Sequence, residues 1–137
     1  MVIRRATDYE RMRIKEYGET VQKEATLGYL QTSTPMNEYG PCEYWVLDRD
    51  GVCGWIVIGE TLAPFKNVVS AMVFELYVLP RYRKKGYGEM LMRAALGEFR
   101  QRGYRTAHLN VFANNRAKEL YKRLGFDEIS TIMETEL

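Results

Sequence analysis

The sequence predicts a mixed α/β (α+β) domain whose elements run β-αα-βββ-α-β-α-β over residues 1–137. Three observations carry that expectation. Two β-branched or aromatic runs, 44–47 and 52–58, are joined by Asp48-Arg49-Asp50-Gly51, which is the chemistry of a hairpin turn and gives an antiparallel pair. Residues 68–78 are almost wholly apolar and suit a central strand covered on both faces. From residue 87 onward the apolar residues change to helical spacing, and strands then alternate with helices.

In chain order, residues 2–6 read as a short strand, and Thr7-Asp8-Tyr9-Glu10 follows as a capping box whose Thr7 and Glu10 side chains satisfy the first free helix amides. Helical composition continues through Leu30 with breaks near Gly18 and Gly28, and 31–41 is a polar, turn-rich loop of the kind that often touches substrate. The hairpin comes next, then a loop at Pro64, then the apolar strand, which ends at Leu79-Pro80 where proline stops pairing. In the helix 87–102 the stripe is Tyr87, Met90, Leu91, Ala94, Ala95 and Phe99, and Gly103 supplies the left-handed residue after the last turn. Residues 106–112 form another strand. Residues 115–124 form a second amphipathic helix with Asn114 as N-cap and Gly125 as stop, and 128–133 form a final strand.

Composition narrows the function classes. With 46% hydrophobic and 28% charged residues, the chain is too apolar to be disordered and its length suits a single domain. A net charge of +2 leaves no general footprint for nucleic acid, so an anion must be met by a local cluster, and the basic run at 81–85 is one. Two cysteines and one histidine in no metal-like spacing argue against metal catalysis. Cys53 reads as a small core residue, while Cys42 follows a Gly-Pro turn; neither has a histidine nearby in sequence to activate it. His108 alternates with Leu109 and Val111 and so faces away from one packed side. No apolar run approaches membrane-spanning length and the amino terminus lacks an apolar targeting segment, so no membrane partner and a cytoplasmic location are expected.

The segment Arg83-Lys84-Lys85-Gly86-Tyr87-Gly88, between a strand and a helix, has the form of a phosphate-binding turn. Phosphates need many donors converging on a small volume, and backbone N–H groups at a helix start supply them along with the positive end of the helix dipole. Gly86 and Gly88 allow close approach, and Lys84 and Lys85 add charge. The alternative is a tight turn with solvated lysines. The Gly-x-Gly-x-x-Gly spacing of dinucleotide folds and the Gly-Lys-Ser/Thr ending of P-loops are both absent.

The run from Glu75-Leu76-Tyr77-Val78 through Gly88 resembles the central strand, coenzyme loop and following helix of the GNAT superfamily of N-acetyltransferases. That family's loop signature is Gln or Arg, two residues, Gly, one residue, then Gly or Ala, and Arg83, Gly86 and Gly88 meet it. The segment 109–117 and the terminal Leu120-Tyr121-Lys122-Arg123-Leu124-Gly125-Phe126 are similar to the family's next strand and helix. The specific match covers the second half of the chain; the first half agrees in its order of elements. Lys84 stands where many relatives have a first glycine, outside the core signature.

The resemblance implies a mostly antiparallel central sheet flanked by helices and an acetyl-CoA-dependent transfer of acetyl to the primary amine of a small molecule or peptide. It places pantetheine beside Leu76, Tyr77 and Val78, the pyrophosphate on the amides from Arg83 through Gly88 (Arg83, Lys84, Lys85, Gly86, Tyr87, Gly88), and a donor for the thioester oxygen near Leu76 or Tyr77. It makes Tyr121 the general acid for the departing thiolate; Tyr121 also lies on the stripe Ala117, Leu120, Tyr121, Leu124, for which the alternative is a core role. Asn114 matches the asparagine that contacts the pantetheine arm, in competition with its role as N-cap. Glu75 is the base that takes a proton from the ammonium, through water, or else an anchor for a cationic substrate or a partner for a nearby basic residue. Other readings are a coenzyme A-binding module without transfer activity, and an acyltransferase acting on a protein or aminoacyl-tRNA amine. A homodimer is left open, since relatives often pair through late strands.

Overall fold

Residues 1–27 and 39–137 are described in the structure, a computed structural model. Strand β1 (Val2–Arg5) leads into α1 (Asp8–Glu16), where both halves of the capping box form: Thr7 Oγ1 accepts the Glu10 N–H and the Glu10 carboxylate accepts the Thr7 N–H. Tyr17 closes α1 and opens α2 (Gly18–Ala25), so the expected break falls at Gly18. Helix α2 ends before the expected break at Gly28; that break and most of the 31–41 loop lie outside the described residues.

Strands β2 (Cys42–Asp48), β3 (Val52–Leu62) and β4 (Val69–Val78) form an antiparallel meander, and β5 (Ala107–Leu109) adds to β4 in parallel. The sheet order is β1-β2-β3-β4-β5, with only the last pairing parallel, as a mixed and mostly antiparallel sheet requires. Helices α3 (Tyr87–Gln101) and α4 (Ala117–Arg123) complete the described elements. One sheet face packs Leu47, Ile56, Ile58, Ala71 and Val73 against Tyr87, Leu91, Met92, Ala95 and Phe99 of α3. The other packs Val46, Trp55, Val57 and Tyr77 against Ile14 and Val21 of α1 and α2. A strand covered on both faces is therefore apolar at consecutive positions, which is the pattern of β3 and β4.

Several expectations are corrected. The buried stripe of α3 uses Met92, while Met90 and Ala94 are exposed, because the helix turns a neighbouring face to the sheet. Strand β3 runs four residues past Ile58, and β5 is three residues long where 106–112 is expected. Asn114 is not the cap of α4: the Asn115 side-chain oxygen accepts the Ala117 N–H at 2.9 Å. Residues 128–133 form no strand, and Ile132 and Met133 are 96% and 89% exposed. β-Branched composition supplies a propensity but not a partner, and β5 ends at Leu109 without pairing to this tail.

A β-bulge fixes what β4 presents. Val57 pairs with Glu75 and Ile58 with Val73, so Phe74 is skipped. Before the bulge, Ala71 and Val73 face α3; after it, Leu76 and Val78 take that side. Phe74 and Tyr77 pack toward α1 and α2. Because alternation would otherwise send Glu75 to the α3 side with Val73, the inserted residue directs its carboxylate to the opposite face.

Candidate active site

The parallel pairing of β4 with β5 stops at Val73 and Leu109, yet β4 continues to Val78. Glu75, Leu76, Tyr77 and Val78 thus lie where, among the described residues, no strand pairs with β4 on its β5 side, and this open edge leads into the loop. A 3-10 turn at Pro80–Tyr82 redirects the chain, Arg83 is extended, Lys84 adopts φ 62° and Gly86 adopts φ 80° as the N-cap of α3. Among the described residues no side chain caps that helix, which offers its first amides and the positive end of its dipole to an anion. At Gly86 the need for glycine is one of backbone conformation, since an added Cβ would meet nothing within 4 Å. At Gly88 a Cβ would make ordinary contacts with Leu120 Cδ2 at 3.7 Å and Val78 Cγ2 at 3.9 Å, so the site tolerates Gly or Ala and joins α3, α4 and the end of β4.

The side chains of this loop divide. Lys84 and Lys85 are exposed. The Tyr87 ring is buried, and its hydroxyl accepts a 2.5 Å bond from Arg49 Nη1 in the β2–β3 turn, which leaves its main chain as the part that faces the loop. Arg83 is held by three groups: Nη2 donates to Glu24 Oε2 at 2.7 Å, Nε donates to the Val78 carbonyl at 2.8 Å, and the guanidinium lies 5.0 Å from the Tyr77 ring centre. Tyr77 in turn donates to Glu24 Oε1 at 2.7 Å. Burial acts to raise the Glu24 carboxyl, but the bonds from Arg83 and Tyr77 outweigh it and hold the group below its ordinary value. Glu24 was not legible as a site residue, because it lies 53 positions before Tyr77 and only the packing of α2 on the sheet joins them.

Glu75 is the buried carboxylate of the site, 7% exposed. Its two oxygens accept from Tyr39 at 2.7 Å and from Trp55 Nε1 at 2.6 Å, and Tyr17, Trp55 and Tyr77 form an aromatic cluster beside it with centroid spacings of 5.2–5.9 Å. Burial pushes its carboxyl above the ordinary value, against the lowering effect of the Tyr39 and Trp55 bonds. Such a group takes up a proton more readily than a solvated carboxylate does.

Tyr121 sits on α4, half-buried against the α3-side core and edge-on to Phe126 at 6.0 Å. Burial pushes its phenol up to about 12, and its hydroxyl bonds to none of the described residues. It therefore keeps its proton near neutral pH. Glu75 and Tyr121 stand on opposite faces of the sheet with the open end of β4 between them. Asn114 is exposed, whereas Asn115 bridges α4 to α2 by donating from Nδ2 to the Ala25 carbonyl at 3.2 Å. His108 is half-buried and 2.7 Å from Ser70 Oγ, away from the open end of β4. Among the described residues no group of three or more His, Cys, Asp or Glu is placed to hold a metal ion, and no helix is long and apolar enough to cross a membrane.

Comparison with known proteins agrees with this geometry. The family described as the acetyltransferase (GNAT) domain matches residues 40–128, which span β2 through the end of α4. The "[Ribosomal protein bS18]-alanine N-acetyltransferase" of Haemophilus influenzae is 32% identical over 60 residues, 44% of this chain and 41% of that protein. The "Uncharacterized N-acetyltransferase YycN" of Bacillus subtilis is 30% identical over 92 residues, 66% of this chain and 58% of that protein. The chain thus matches less than two thirds of the length of either relative. Among solved structures, the tetramutant of the BH1408 protein from Bacillus halodurans superposes with a TM-score of 0.80 at 19% identity, covering 100% of both chains. A GCN5-related N-acetyltransferase from Ralstonia eutropha gives 0.74 at 22% identity, covering 98% of this chain and 97% of that one. These two likenesses bear on the fold alone, but the domain match covers well over half of the sequence, including the glycine loop, the open strand end and Tyr121, and the chain belongs to the GNAT acetyltransferase family.

Proposed function

We propose that the chain is an N-acetyltransferase that moves an acetyl group from acetyl-CoA to a primary amine by direct attack with both substrates held at once. The observation that carries this reading is the open edge of β4 from Glu75 to Val78, which ends at a helix start with uncapped amides. The coenzyme supplies an activated thioester. The fit is good: the amides from Arg83 through Gly88, with Lys84 and Lys85, suit a pyrophosphate, and the edge of Leu76, Tyr77 and Val78 suits an extended pantetheine arm. An N–H on that edge near Leu76 or Tyr77 would donate to the thioester oxygen. Glu75 would accept a proton from the ammonium, directly or through water, and Tyr121 would supply one to the departing sulfur. No covalent enzyme intermediate is needed, because holding amine and thioester in reacting geometry lowers the barrier by several kcal/mol. Asn114 is exposed and does not cap α4, which leaves its side chain available to the arm.

The acceptor is a small-molecule or peptide amine. Similarity to a ribosomal-protein alanine acetyltransferase favours a protein amino terminus as a second reading. The test is release of free thiol from acetyl-CoA in the presence of an amine panel that includes peptides beginning with alanine. Turnover on an amine supports the reading, and coenzyme binding without turnover on any of them supports a coenzyme A-binding module instead. A homodimer is also proposed, through the tail beyond Phe126, whose Ile129, Ile132 and Met133 are exposed. Light scattering of the full chain and of a form ending at Asp127 tests this; equal masses would exclude the tail as the interface.

A further inference from the structure

We infer that Glu24 is a positioning residue that competes with the coenzyme's pyrophosphate for Arg83 and thereby couples helix α2 to the coenzyme loop. The inference rests on the reading that coenzyme A binds at residues 83–88. Arg83 opens that loop, three residues before Gly86, yet its guanidinium is engaged by Glu24, the Val78 carbonyl and the Tyr77 ring. Glu24 accepts from Tyr77 with its other oxygen, so a single carboxylate holds both a residue of the open strand edge and the first residue of the loop. The next residue, Ala25, gives its carbonyl to Asn115 at the entry to α4, so the same end of α2 is joined to all three parts of the coenzyme half.

Two anions cannot share one guanidinium without cost. Both side chains of the Arg83–Glu24 pair are 41% exposed, which makes the pair exchangeable with a diphosphate that offers more acceptors and more charge. When Arg83 turns to the pyrophosphate, Glu24 keeps only its bond from Tyr77, and the constraint on α2 loosens. Helix α2 also carries Gln22, whose Nε2 donates at 3.1 Å to the hydroxyl of the Tyr39 that bonds Glu75, so coenzyme binding at the loop would be felt at Glu75.

The experiment is calorimetric titration of coenzyme A into the wild type, Glu24→Gln, Arg83→Ala and the double variant, with thermal melts to establish that each is folded. The amide introduced by Glu24→Gln can still accept from Tyr77 but carries no charge for Arg83. The expected result is that Glu24→Gln binds coenzyme A about two- to fivefold more tightly at low salt, with the gain reduced at high salt and absent in the Arg83→Ala background. In turnover, the acceptor KM should rise in Glu24→Gln with little change in kcat. Unchanged or weaker coenzyme affinity in a folded Glu24→Gln overturns the proposal, as does a gain that persists without Arg83, which would reflect overall charge. Absence of coenzyme A binding to every form overturns the reading of the loop itself, and the inference with it.

Discussion

Replacing Glu75 gives a stability test whose sign follows from burial. The carboxyl is pushed above its ordinary value of 4.5 by desolvation, so between that value and its own raised one the native state holds a proton that the unfolded chain has released. Stability contributed by the protonated form is thus fully present at low pH and is lost as pH rises through the raised value. The other shifted carboxyls have the opposite sign: Glu10, near 2, and Glu24, Glu43, Asp48 and Glu128 are all lowered, and their contributions change below their ordinary values and are flat above. Above about pH 5 the decline therefore belongs to Glu75 among the carboxyls of the described residues. Glu75→Gln keeps an acceptor for Trp55 Nε1 and a polar partner for Tyr39 but cannot ionise, so its stability relative to the wild type should rise with pH. Glu75→Ala orphans the buried Trp55 N–H at about 1–3 kcal/mol and weakens the hold on Tyr39, for a loss of about 2–4 kcal/mol at pH 5 that shrinks toward pH 8. Urea unfolding of the three proteins from pH 5 to pH 8 measures this. A Glu75→Gln profile parallel to the wild type would refute the reasoning.

Tyr121→Phe should lower kcat about 10- to 100-fold with coenzyme affinity unchanged, less than the strongest general acids because a thiol of pKa near 8.5 is already a fair leaving group; single-turnover thiol release reads the chemical step. Gly86→Val should weaken coenzyme A binding at least tenfold by calorimetry, since a β-branched residue is strained at φ 80° and must shift the loop amides. Lys84→Gly should raise stability by about 1 kcal/mol in urea unfolding, because Lys84 holds φ 62° with a Cβ, while the lost charge weakens coenzyme binding at low salt.

Local chemistry was legible wherever it acts over a few residues. The Thr7–Glu10 capping box, the break at Gly18, the 48–51 turn, the start of α3 at Tyr87 and the positive φ of Gly103 and Gly125 all follow from neighbouring side chains and backbone preference. Apolar runs likewise announced β3 and β4. The cap expected at Asn114 fails because adjacent asparagines carry the same local signal, and only the turn geometry decides that Asn115 reaches the Ala117 N–H. The 128–133 segment carries the composition of a strand without forming one, because strand propensity says nothing about whether a neighbour is in reach.

By itself, the sequence determined the order of elements as far as α4 and placed a glycine turn and basic residues at a helix start, since those depend on bonds spanning a few positions. Tertiary structure alone decided that β4 outruns β5, that the bulge at Phe74 turns Glu75 toward Trp55 and Tyr39, and that Glu24 reaches Arg83 and Tyr77. The physical reason is that strand register, bulges and long-range ion pairs are set by how two faces of a sheet are covered at once, a condition shared among residues far apart in the chain.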